Sequence, residues 1–124
     1  MVKYTAPLLV VAAAAFMSPS VGFAQDAPPT YVADPGVYKL ILDTERFRVI
    51  RAVWRPGQLD ARHSHPIPSV VLPLTDCTIK LTSAEGTRIV KTKAGQATEA
   101  PVTFGHTAQN LSHHTCVAVF FERK

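Results

Sequence analysis

Turn chemistry recurs every eight to twelve residues along this chain, and after position 24 no stretch of ten or more residues keeps a helical period. Glycine, proline, asparagine and aspartate break the sequence into short runs rich in Val, Ile, Leu, Phe and Thr. Strands are expected over 38–42, over 47–54 (stopped by Pro56-Gly57), in a run closed by His63 and His65, and over 70–74 and 78–81. A turn over 84–87 leads to a return strand over 88–93. Further strands follow over 97–104, 106–111 and 116–122, with Ser112-His113-His114 as the last turn. About nine short strands with such punctuation make an all-β sandwich or barrel. Pro73 cannot donate to a ladder, so it belongs at a bulge or on an edge-facing side.

Three histidines stand out within this cadence. Gly57, five residues, then His63-Ser64-His65 form one stretch; Gly95, five residues, Pro101, then His106 and Asn110 form another. Residues two apart in a strand share a face, so His63 and His65 can aim at one point. A third imidazole arriving from a distant segment completes a facial set suited to iron, zinc, manganese, nickel or copper. A pocket that keeps the histidines without a metal is the competing reading. His113 and His114 lie in a turn outside both stretches and read as surface residues.

The two stretches resemble the paired motifs of the cupin superfamily, from about Glu45 to Lys124. Gly57, His63, His65, Gly95, Pro101, His106 and Asn110 fall in register with G-x5-H-x-H-x3-E-x6-G and G-x5-P-x-G-x2-H-x3-N. Three positions depart: Ser69 stands at the glutamate, Asp76 at the closing glycine and Thr103 at the inner glycine of the second motif. The chain is most similar to small single-domain bacterial cupins, with their H-x-H-P-x-x-S-V-V and L-T-D runs. The resemblance implies a jelly-roll barrel, also called a double-stranded β-helix. It implies a divalent transition metal on His63, His65 and His106, with Ser69 withholding the anionic donor. Three-histidine cupins of this kind include iron dioxygenases of thiols and of small aromatic acids. A homodimer is common among them.

Few acid or base candidates lie near the motifs. Asp60 and Glu99 are the nearest, and alternation does not settle which way either points. By parity with His65, the side chains of Ile67, Ser69 and Val71 line the interior if no bulge intervenes. Such a cavity is mostly apolar, with imidazoles at one end, and suits a small apolar or aromatic ligand.

Composition enters through the ends and the charges. Lys3, the apolar run from Leu8 to Met17, and small residues at Gly22 and Ala24 read as a secretory signal peptide cut after Ala24. The domain plan is therefore a signal peptide over 1–24, a flexible arm over 25–36 and one barrel domain over 37–124, periplasmic or secreted. Losing Lys3 leaves 12 Lys+Arg against 9 Asp+Glu, a net charge of 12 − 9 = +3. Arg46, Arg48, Arg51, Arg55 and Arg62 spread over both strand faces, which argues against nucleic acid. No membrane association is expected after signal cleavage. Cys77 and Cys116 are an even pair; they form a disulfide after export, or Cys116 serves as a small hydrophobe in its apolar run.

These observations converge on an exported small cupin. It holds a divalent transition metal and is either a dioxygenase-like enzyme on a small apolar substrate or a non-catalytic module binding a small molecule or the metal. No catalytic residue and no organic cofactor site is assignable.

Overall fold

The computed structural model describes residues 2, 13–15 and 25–124. The expected signal peptide over 1–24 lies almost wholly outside the described residues. Nine strands follow a single helical turn, α1 (Thr30–Ala33): β1 (Tyr38–Asp43), β2 (Phe47–Trp54), β3 (His63–His65), β4 (Ser69–Pro73), β5 (Cys77–Ser83), β6 (Gly86–Thr92), β7 (Thr98–Ala100), β8 (Thr103–Asn110) and β9 (Cys116–Arg123). They form a five-stranded sheet, β1-β2-β9-β4-β7, facing a four-stranded one, β3-β8-β5-β6. Every strand pairing is antiparallel, as a jelly roll requires.

Alternation builds the core. Ile50, Ala52 and Trp54 of β2 face inward, register with Phe120, Ala118 and Cys116 of β9, and are buried with them. Cys77, Ile79 and Ala108 close the layer from the opposite sheet. A disulfide joins Cys77 on β5 to Cys116 on β9, with Cα atoms 6.0 Å apart, so it ties one sheet to the other.

Two strand expectations are corrected. The run expected over 97–104 breaks at Pro101, which offers no N–H, as the chain leaves one sheet there for the other, and residues 103–104 run on without a break into the strand expected separately over 106–111, making one strand, β8. The turn between β5 and β6 is only Ala84-Glu85, and the return strand begins at Gly86. Pro73 ends β4 beyond the last β4–β7 pair, where only β9 pairs with it. The motif glycines Gly57 and Gly95 both adopt left-handed backbone, φ 75° and 79°, which a side chain would strain.

Residues 25–36, expected as a flexible arm, pack against the barrel. Ala27 N–H donates to Phe104 O, Ser64 N–H to Pro28 O and Ala61 N–H to Asp34 Oδ2. Ala27 and Thr30 are buried. The segment thereby covers the free edge of β3, the strand that carries two of the histidines.

Candidate metal centre

His63 and His65 sit on β3 and His106 on the adjoining β8, with His63 directly opposite His106. A register shift follows, so that His65 stands opposite Thr103 and the ladder bends around the site. The three rings form a near-equilateral triangle with centroids 4.6–5.0 Å apart, each pair steeply inclined. One nitrogen from each lies within 4.8 Å of the other two. The Nε2 atoms of His65 and His106 are 3.1 Å apart, a separation that two ligands each about 2.1 Å from a shared ion can span.

The surroundings orient the rings. His63 Nδ1 lies 2.9 Å from Ala61 O and donates to it, which leaves the Nε2 lone pair facing the cavity. His65 stacks on Phe120 with centroids 5.4 Å apart. Burial pushes the His65 imidazole down to about 3, helped by repulsion from His63 and His106. Burial likewise lowers His106 to about 4, with His63 and Arg88 adding to the shift. Both rings are neutral at pH 7, the form that ligates metal.

Asp60 is the anchor that the sequence left unoriented. Its buried carboxylate accepts from Tyr38 Oη at 2.7 Å, Trp54 Nε1 at 3.0 Å and Ala108 N–H at 2.7 Å. So held, with Oδ1 also 3.6 Å from His63 Nδ1, it positions Tyr38, β8 and His63 and does not itself line the cavity. Tyr38 was not singled out from the sequence, yet its hydroxyl lies 3.2 Å from His63 Nε2. Burial, followed by the Asp60 charge, raises its pKa well above the usual phenol value. Only its place at the head of a strand, on the buried face, could have pointed to it.

Ser69 is buried on the inward face of β4, and its hydroxyl has no hydrogen-bond partner among the described residues. Val71, two residues on, lines the cavity, whereas Ile67 lies outside it, in the bend before β4. Glu99 pairs with outward Val70, so strand alternation puts its carboxylate on the outer face. Asn110 holds the final turn together: Nδ2 donates to Trp54 O, Arg55 O and His114 O, and Oδ1 accepts from Ser112 N–H. His113 is exposed. His114 is exposed too, as expected; it donates Nε2–H to Asp76 O at 2.6 Å and lies 3.8 Å from Cys77 Sγ, apart from the three-histidine group.

The histidines open onto a cavity of about 290 Å³ between the sheets. Val71, Ile79, Leu81, Val90 and Phe120 give it apolar walls. Three imidazoles on a common point fit a divalent transition ion, and with Ser69 in place of a carboxylate they leave open positions for a ligand.

No family model matches the chain. It is 38% identical over 85 residues to the β-alanine degradation protein BauB of Pseudomonas aeruginosa, a match covering 67% of this chain and 90% of that protein. A cupin domain protein of Bordetella pertussis is 25% identical, covers 83% of this chain and 99% of its own, and superposes with a TM-score of 0.68. An RmlC-like cupin of Methanocaldococcus jannaschii, 15% identical, covers 70% of this chain and 78% of its own with a TM-score of 0.57, a likeness of fold. With a β-alanine degradation protein so similar along its length and cupin barrels matching its double-stranded β-helix, the chain belongs to the cupin superfamily as a small single-domain member.

Proposed function

We propose that this protein is an exported cupin that holds one divalent transition ion on His63, His65 and His106 and presents it to a small molecule in the adjoining cavity. The convergence of three imidazoles within 4.8 Å supports the reading most directly. Such an ion supplies a Lewis-acid or redox centre with open coordination positions. His63 is oriented by Ala61 O, His65 by Phe120, and the Asp60 network fixes the strands beneath them. Apolar walls exclude water from the rest of the ligand. BauB is named for β-alanine degradation, and we extend to this chain only the idea of small-molecule metabolism.

A dioxygenase-like reaction on a small substrate is the first form of this proposal. A binding module is the second, favoured by one observation: no carboxylate is free in the cavity, since Asp60 is held by Tyr38, Trp54 and Ala108, Glu99 points outward, and Glu122, inward on β9, is paired with Arg48. Elemental analysis of protein purified without added metal tests the shared core of both. About one equivalent of a transition metal is expected. Protein that takes up none at pH 7 from zinc, iron, copper, nickel or manganese would overturn it.

A further inference from the structure

The inner surface of the cavity carries one charged side chain among the described residues. On β6, Arg88, Val90 and Thr92 alternate onto the same face, and all three line the cavity. Glu99 also borders it, but register removes its carboxylate: Thr98 and Ala100 pair with inward Val71 and Ser69, while Glu99 pairs with outward Val70. No ion pair among the described residues takes up the Arg88 charge. Arg88 is exposed to solvent, so its guanidinium stands at the mouth of the cavity rather than in its depth. With imidazoles at one end and apolar walls between, no carboxylate on the inner surface balances the guanidinium.

A guanidinium presents a planar fork of N–H donors that matches a carboxylate in bidentate fashion. Because Arg88 is exposed, solvent screens such a pair, and contact of the ligand's body with the apolar walls adds to it. We infer that the cavity selects a small organic acid, whose carboxylate pairs with Arg88 while its apolar body lies against Val71, Ile79, Val90 and Phe120 and its far end reaches the three histidines. Arg88 thereby determines specificity. The inference rests on the reading of this cavity as the ligand site, but does not need a bound metal.

Trp54, the only tryptophan, lines the cavity and reports on its occupancy by fluorescence. The experiment titrates the protein with butyrate and benzoate, each against its neutral amide, and with propanesulfonate and inorganic phosphate. It is run on chelator-treated and on zinc-loaded protein. The acids are expected to bind about threefold tighter than their amides, the scale of an exposed ion pair. Arg88→Met should erase that preference in both preparations, and Arg88→Lys should keep part of it. Acid preference in protein that takes up no zinc would sustain the Arg88 assignment while the metal reading fails. Equal affinity for acids and amides, or a preference unchanged in Arg88→Met, would overturn the inference. Sulfonate or phosphate binding as tightly as the carboxylates would overturn the choice of carboxylate.

Discussion

At the scale of residues, the histidines divide by burial and partners rather than by type. His65→Ala or His106→Ala should abolish stoichiometric metal in an elemental assay, while His113→Ala and His114→Ala leave it intact, because neither of the latter belongs to the triangle. Free imidazoles would suggest weaker metal binding below about pH 6. The folded site differs, since burial holds His65 near 3 and His106 near 4. These two rings should therefore not compete for protons until near pH 4, and equilibrium dialysis between pH 7 and 4 should show no loss of metal that tracks the ordinary imidazole range at His65 or His106. The same shifts set the stability of the metal-free protein. Unfolded histidine takes up its proton near 6.5, while these two folded ones resist it until about 4 and about 3. Their neutral burial costs nothing above pH 6.5, and stability falls as pH drops from there toward 4. Urea unfolding at pH 7.5 and 5 should show that loss, and His65→Gln should reduce it. Asp60 is the other residue whose removal should be severe. Asp60→Ala strands the buried donors of Tyr38, Trp54 and Ala108, and should lower unfolding free energy by roughly 3 kcal/mol or more.

At the scale of elements, what could be read from the chain was what alternation and turn residues encode. Strands β1, β2 and β9 emerge nearly at their observed bounds, because a period of two and a flanking turn define each. The metal candidates were legible too, since a two-residue spacing and two glycine-led stretches are local facts. What escaped was long-range. The break at Pro101 is a change of sheet, and a linear pattern does not say which sheet a strand joins. Alternation did not settle which way Asp60 points, because its inward turn depends on Tyr38, which is 22 residues away. His114 sits against Cys77, 37 residues back, only because the disulfide brings β5 to β9. The covering of β3 by residues 25–34 was also invisible, since a proline-rich stretch reads as unstructured. The arm's contacts include Arg62 Nη1 donating to Gln25 O, and the guanidinium lies across Gly105, where a Cβ would meet it at 2.2 Å. That side chain is flexible enough to swing away. Gly105→Ala should therefore leave the barrel's melting temperature little changed while speeding amide exchange at Ala27 and Ser64.

At the scale of the molecule, two sheets must stay apart far enough to keep a cavity and close enough to share a core. The core itself is modest: its buried face includes Ala52, Ala108 and Ala118 where larger residues would fill the space. A domain of about 100 residues buries only about two thirds of its unfolded surface, so a covalent tie matters more here than in a larger protein. Cys77–Cys116 is that tie, spanning 39 residues and joining the sheets beside the cavity. In the chain-entropy account, a loop of this length contributes about 4 kcal/mol by restricting the unfolded chain. Reduction, or the double substitution Cys77→Ser with Cys116→Ser, should therefore lower the melting temperature by more than about 10 °C. The histidine triangle is built on β3 and β8, neither of which carries a cysteine, so metal stoichiometry at 25 °C should survive reduction. Calorimetry with and without a thiol reductant, paired with elemental analysis, separates the two effects. An unchanged melting temperature would show that packing alone holds the sheets together; loss of metal with the fold intact would show that the disulfide shapes the site as well as the barrel.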